Sequence, residues 1–252
     1  MTIFYFTATG NSLAVAKHIG GTLISIPQVI DLDNLHYKDD VIGVVFPIYW
    51  WSLPVMVRRF LGKANFEADY LFAIGTCGSI AGGAMRSLQN QAKRNGCNFD
   101  YTNHVLMVDN YLSVFDMNKQ EERLPKKNVA ENIAKIVTDI NNRKSKNTGA
   151  NPVTIAMTAI FERIFKPGKN ARKYIVNDKC NRCGVCVQVC PAKNIAVTDK
   201  VKFNDHCEGC LGCLHLCPQN ALHLKNEKND KRWRNPEVSR KEIIEANNRT
   251  NN

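Results

Sequence analysis

Eight of the chain's ten cysteines fall within 38 residues, in two matching runs. The first reads Cys180-x-x-Cys183-x-x-Cys186-x-x-x-Cys190-Pro191, and the second, 27 residues later, Cys207-x-x-Cys210-x-x-Cys213-x-x-x-Cys217-Pro218. Three thiolates on one tight loop can hold three corners of an iron–sulfur cubane. Gly184, Gly209 and Gly212 let such a loop curl and point backbone N–H groups at sulfur. The prolines stop the chain from continuing into the cluster. Zinc would be satisfied by two Cys-x-x-Cys pairs, which leaves the third cysteine of each run and the repeated Cys-Pro without a purpose. Disulfides fit poorly, because the N-terminus lacks the basic start of an export signal and the spacing is that of metal ligands. His206 and His215 lie beside the cysteines and are expected to be exposed or to support the ligands, not to ligate.

A second chemical feature lies at the other end of the chain. The strand-like Ile3–Phe6 runs into Thr7-Ala8-Thr9-Gly10-Asn11-Ser12, where a helix begins. Three hydroxyls and successive N–H groups at a helix start form an anion site suited to phosphate. The loop has neither a Gly-Lys-Ser/Thr nor a Gly-x-Gly-x-x-Gly signature, which argues against a nucleoside triphosphatase or a dinucleotide fold.

These groups need a scaffold. Strands are expected at Ile3–Thr7, Val41–Pro47, Tyr70–Thr76 and His104–Asn110. Helices are expected at Asn11–Gly20, Pro54–Ala64, Gly83–Asn95 and Lys126–Arg143. Alternating strands and helices predict an α/β fold with a parallel sheet covered on both faces. The polar stretch 141–151 marks a domain boundary. An amphipathic helix, Pro152–Phe165, follows, and its Ile155, Ile160 and Ile164 face is expected to pack on the N-terminal domain. Short strands at Ile195–Thr198 and Ala221–Leu224 would shield the cysteine loops from water. The charged tail ends in NNRTNN and is expected to fray.

Net charge is +11, with all of the excess after residue 142. Residues 1–142 hold 13 basic and 13 acidic side chains, whereas 143–252 hold 21 and 10. Two cubanes with four thiolates each bring about −4 in total and offset part of this. The cations Arg163, Lys166, Lys169, Arg172 and Lys173 lack interleaved aromatics, so a docking face for an acidic redox protein fits them better than nucleic acid. No apolar run reaches the length of a membrane span, and a cytoplasmic location is expected.

The cysteine repeat resembles the bacterial two-cluster ferredoxin pattern, in which the fourth cysteine of each run ligates the other cluster. That implies one 4Fe–4S cluster on Cys180, Cys183, Cys186 and Cys217, and a second on Cys207, Cys210, Cys213 and Cys190. The loop Thr7–Ser12 resembles the phosphate loop of flavodoxins, Thr/Ser-x-Thr-Gly-Asn-Thr/Ser. Flavodoxins place flavin contacts after the third and fourth strands, which here brings in Pro47, Ile48, Tyr49 and Trp50, and Thr76, Cys77 and Gly78. With Thr7, Ala8, Thr9, Gly10, Asn11 and Ser12 these would hold FMN at the carboxyl edge of the sheet. Gly75–Gly83 lacks the acidic residue that many flavodoxins carry there.

Nearly the whole chain, including Arg232-Trp233-Arg234-Asn235-Pro236, resembles the fusion family of ferredoxins with an N-terminal flavodoxin-like domain. The resemblance implies a flavodoxin-like, doubly wound, five-stranded domain at 1–145. A linker and helix would span 146–173, a two-cluster ferredoxin domain 174–225, and a charged tail 226–252. The implied function is electron relay between FMN and redox partner proteins, with a homodimer possible. The alternative is a reductase of a small quinone, nitro or porphyrinogen-type substrate at the flavin.

Overall fold

A computed structural model describes residues 1–164 and 166–248. Phe165, expected to end the 152 helix, and 249–252, the end of the expected frayed tail, lie outside the described residues, as does the side chain of Lys169.

Six parallel strands form the main sheet: β1 (Thr2–Tyr5), β2 (Thr22–Ser25), β3 (Val41–Pro47), β4 (Tyr70–Cys77), β5 (Tyr101–Leu106) and β6 (Lys146–Asn147). Their spatial order is β2-β1-β3-β4-β5-β6. The first five reproduce the flavodoxin-like order, whose ligand site is the carboxyl edge between β1 and β3. The sixth strand corrects the expected count of five. It is two polar residues long, carries no hydrophobic signal, and pairs with Tyr101 and Thr102.

Alternation along the strands divides the core. On β1, Ile3 and Tyr5 face one side and Phe4 the other, where Phe6 just beyond the strand joins it. Helices α1 (Asn11–Ile19) and α4 (Val129–Asn141) cover the Ile3 side, and α2 (Val55–Leu61) and α3 (Ala84–Arg94) the Phe4 side. The Ile3-side core continues without a break into the cysteine-rich region through Val189, Leu214 and Leu222.

That region is held by two antiparallel pairs, β7 (Tyr174–Val176) with β10 (Leu222–Leu224), and β8 (Ile195–Val197) with β9 (Val201–Phe203). The first pair joins the two ends of the region. The tail corrects the expectation of fraying as far as Asn248. It forms α6 (Arg240–Asn247), which opens on a Ser239–Glu242 capping box. The Asn247 side-chain amide reaches Val189 O at 2.9 Å, and Lys193 Nζ reaches Asn247 O at 2.6 Å. Ser25 Oγ donates to Ala246 O, so α6 binds both halves of the molecule.

Helix α5 (Pro152–Ile164) brings the second correction. Ile155, Ile160 and Ile164 do not pack on the N-terminal domain but are 37%, 54% and 73% exposed. The helix instead presses Thr158 and Glu162 inward, because these have polar partners there.

The sheet also explains Gly43, whose missing side chain leaves room for the Phe72 ring on the neighbouring strand. Gly43→Ala is expected to destabilise the fold by about 1–3 kcal/mol through overpacking. A lowered denaturant midpoint at unchanged slope would register it.

Candidate functional site

The eight cysteines line two separate cavities. Cys180, Cys183, Cys186 and Cys217 surround one, closed by Val197, Val201 and Leu222. Cys190, Cys207, Cys210 and Cys213 surround another, closed by Tyr174, Ile195 and Phe203. Each cavity takes three cysteines from one run and the fourth from the other. Among the described residues no three cysteine sulfurs lie within 4.8 Å of one another. Tetrahedral zinc, with Zn–S bonds near 2.3 Å, draws its sulfurs to about 3.8 Å, so these sites are too open for zinc. They fit a larger inorganic core.

The repeat extends to the backbone. Left-handed φ recurs at the same 27-residue offset in Arg182 and Gly209, Gly184 and Leu211, and Lys193 and Asn220. Gly212 is not among these positions. Its role is close approach: a β-carbon there would sit 3.2 Å from Ala8 O and 3.7 Å from Cys210 Sγ.

Hydrogen bonds already aim at the sulfurs. The N–H groups of Asn194, Gly209 and Ala221 point at Cys190, Cys207 and Cys217 at 3.2–3.3 Å. Burial pushes the Cys186 thiol up to about 11, and the nearby Cys217, Cys183 and Cys180 push the same way. Burial likewise raises Cys210 and Cys213 well above an ordinary thiol. Iron must displace these protons, so cluster assembly couples to proton release. The Tyr174 hydroxyl lies 3.7 Å from Cys207 Sγ. Burial, then the charges of Cys207, Cys213 and Cys210, keeps that hydroxyl protonated and able to donate.

A third cavity, a cleft of about 250 Å³, opens at the carboxyl edge of the sheet. Twelve of the thirteen residues expected around a flavin line it: Thr7, Ala8, Thr9, Asn11, Ser12, Pro47, Ile48, Tyr49, Trp50, Thr76, Cys77 and Gly78. Gly10 does not, but its φ of 99° makes the turn into α1 possible. Thr7 Oγ1 accepts from Gly10 N at 3.2 Å and Thr9 Oγ1 from Asn110 Nδ2 at 2.8 Å. Both hydroxyl hydrogens are therefore left to donate to an anion. Burial raises Cys77 to about 12, so it lines the cleft as a neutral thiol.

Asn11 does something else. Its side-chain oxygen accepts from Trp233 Nε1 at 3.4 Å and Asn235 Nδ2 at 3.2 Å, and its amide reaches Val108 O at 3.3 Å. Asn235 N also donates to Thr9 O at 2.8 Å, and Asn235 and Val238 fill the space above Gly10. The Arg-Trp-Arg-Asn-Pro segment thus clamps the hydroxyl loop from behind. His215 completes the clamp, accepting from Trp233 N at 3.0 Å and donating to Asn110 O at 2.8 Å. Burial pushes it down to about 4, so it stays neutral. His206 is exposed.

Trp50 was expected in the cleft, but Asp109, Asn110, Tyr111, Gly209 and Leu211 line it without having been anticipated from the sequence. Trp50 and Trp51 form the centre of a tight turn with φ of 51° and 61°, closed by Tyr49 and Ser52 bonding each other at 3.0 and 2.9 Å. Two bulky residues in this region carry strain. Phe161 of α5 packs on both rings, and Thr158 Oγ1 donates to Trp51 O. Asp109, Asn110 and Tyr111 follow β5 into the cleft. Burial raises Asp109 to about 6. An aspartate directly after the last long strand was the available signal. Gly209 and Leu211 enter the cleft from the cysteine-rich region, and Leu211 also lines the Cys207 cavity. Glu208, buried beside them, accepts from the N–H groups of Val55 and Met56, and burial raises it to about 7.

Residues 172–218 match the family model described as a 4Fe-4S dicluster domain. The chain carries a two-cluster iron–sulfur domain. No curated protein matches the chain. Among solved structures it is similar to a Bacteroides uniformis protein described as a flavoprotein, at 19% identity and TM-score 0.34, over 48% of this chain and 95% of that one. It is also similar to a two-electron reduced Megasphaera elsdenii flavodoxin, at 20% identity and TM-score 0.29, over 41% of this chain and 84% of that one. A third is the Trp repressor binding protein of Bacillus subtilis, at 11% identity and TM-score 0.31, over 58% and 99%.

Two predictions test the site. Tyr174→Phe removes a donor that favours the more negative, reduced state. It should lower the potential of the cluster on Cys207 by roughly 20–60 mV, the one-electron equivalent of a hydrogen bond of about 0.5–1.5 kcal/mol, in a redox titration followed by EPR. Asp109 has a raised folded pKa, so its ionisation costs the fold. That cost begins near pH 4 and is complete above pH 6 to 7, where it reaches on the order of 2–3 kcal/mol. Asp109→Asn should therefore raise the melting temperature of the flavin-free protein at pH 8 and leave it unchanged at pH 4.

Proposed function

We propose that this chain is an iron–sulfur flavoprotein that relays electrons between FMN and a redox partner protein through two 4Fe–4S clusters in series. FMN exchanges two electrons and each cluster one, so the assembly converts between two-electron and one-electron chemistry. The observation that carries the reading is the shared wall. Leu211 lines both the cleft and the Cys207 cavity, and Gly212 lies against Ala8 of the hydroxyl loop. The Cys207 quartet is thus the near station and the Cys180 quartet the far one.

In this reading residues 1–145 with the edge strand hold the flavin, 174–225 hold the clusters, and 226–248 clamp the two. Thr7, Thr9 and Ser12 hold the phosphate, and the Tyr49–Trp50 turn and Thr76–Gly78 border the ring. Cys183 is the exposed ligand of the far quartet. Lys179, Arg182, Lys200 and Lys202 are exposed in the same stretch, against Asp178 and Asp199. That surplus suits an acidic redox protein arriving at the far station.

One observation favours a second reading, reduction of a small acceptor at the flavin. A cleft of about 290 Å³ shares Tyr49 and Trp50 with the first and is lined by Arg58, Phe161 and Glu208.

Anaerobic purification followed by iron, sulfide and flavin analysis tests the proposal. Near eight iron, eight sulfide and one FMN per chain is the expected result, from two cubanes and one flavin. Zinc in place of iron would sink it, and iron without flavin would remove its N-terminal half. A Cys183→Ser variant should then slow flavin reduction by a one-electron protein donor by roughly tenfold or more. An unchanged rate would instead favour direct chemistry at the flavin.

A further inference from the structure

Helix α5 is amphipathic in the inverted sense. Its polar residues face the protein: Thr158 is 4% exposed and accepts from Gly83 N at 2.9 Å, and Glu162 accepts from Arg58 and Ser87, each at 2.6 Å, and from Ser52. Apart from Phe161, which packs on Trp50 and Trp51, its large apolar residues face outward. At the helical rotation per residue, Val153, Met157, Ile160 and Ile164 fall within an arc of about 60°. They are 68%, 38%, 54% and 73% exposed. A stripe of four large apolar side chains on one exposed helix face marks a binding surface, unlike single exposed residues scattered elsewhere.

Charge identifies what the stripe meets. Residues 143–173 hold eight Lys and Arg and one acid, Glu162. That acid is turned inward onto Arg58, and Arg143, Lys144 and Arg172 pair with Asp40, Asp139 and Asp205, while Lys146, Arg163, Lys166 and Lys173 are exposed cations of the segment. Arg163 and Lys166 are exposed where the stripe ends. An apolar stripe flanked by cations matches an anionic bilayer, with the aliphatic side chains at the acyl boundary and the cations among lipid phosphates. A second copy of the chain fits less well, because pairing this face with itself brings like charges together. Among the described residues no helix is long and apolar enough to cross a membrane, so any such contact is made at the surface.

We infer that α5 docks this chain peripherally on an anionic phospholipid bilayer. The test is co-sedimentation of the full, cofactor-loaded chain with vesicles of phosphatidylglycerol mixed with phosphatidylcholine, and with phosphatidylcholine alone. Binding is expected on the anionic vesicles, weakened by salt. It should fall roughly tenfold or more in Ile160→Ser/Ile164→Ser and also in Arg163→Glu/Lys166→Glu. All four positions are exposed, and retained flavin and cluster absorbance would show that each variant is folded. Equal binding to neutral vesicles, or unchanged binding in both variants, would overturn the inference. So would absence of vesicle binding together with a dimer in light scattering that Ile160→Ser/Ile164→Ser dissolves, or with retention on an immobilised acidic protein.

Discussion

The approach of Gly212 to the Ala8 carbonyl is the contact on which the arrangement depends. A β-carbon at 212 would lie 3.2 Å from Ala8 O, so even alanine needs the two loops to give by a few tenths of an ångström. Because it is glycine, the two loops touch, and Leu211 beside it borders both the cleft and a cysteine cavity. Electron transfer between sites falls steeply with distance, so a fold that relays electrons needs such a seam more than it needs extra buried area. The hydrophobic core supports the seam by running continuously from the sheet into the cysteine-rich region.

Polar groups hold the seam in register. Asn11, His215, Trp233 and Asn235 are all buried and bond one another or the loops around them. Each would be costly to leave unpaired, so the network resists sliding in a way that apolar packing alone does not. The neutral state of His215 belongs to the same logic, because its two ring nitrogens serve one acceptor and one donor role at once. On the other side of the cleft, α5 braces a strained Trp50–Trp51 turn. The inward-facing polar residues of that helix thus serve the cleft, and their orientation turns its apolar stripe outward.

Features set by local spacing were legible in the sequence. The division of eight cysteines into two interlocked quartets is what the resemblance to two-cluster ferredoxins implies, and the two cavities are lined by the same groups of cysteines. The hydroxyl loop and the two loops after β3 and β4 converge because parallel strands all deliver their carboxyl ends to one edge. Features set by tertiary context were not legible. The polar Asn103-His104 pair hid the start of β5, so the strand was expected three residues late, and Val108–Asn110 were placed inside it instead of in the cleft. The edge strand β6 has no hydrophobic pattern at all. The periodicity of α5 showed a stripe but could not say which way it faces. The left-handed tryptophans are held by Phe161 and Thr158, more than 100 residues away, and by Tyr111 against Trp50.

The order of the redox sites is the central claim, and EPR of the holoprotein tests it most directly. The sample would be poised so that the flavin and one cluster each carry an unpaired electron. A strong magnetic interaction between flavin and cluster is predicted, lost in Cys210→Ser and kept in Cys183→Ser. An interaction that survives Cys210→Ser but disappears in Cys183→Ser, or none in the intact protein, would contradict the account.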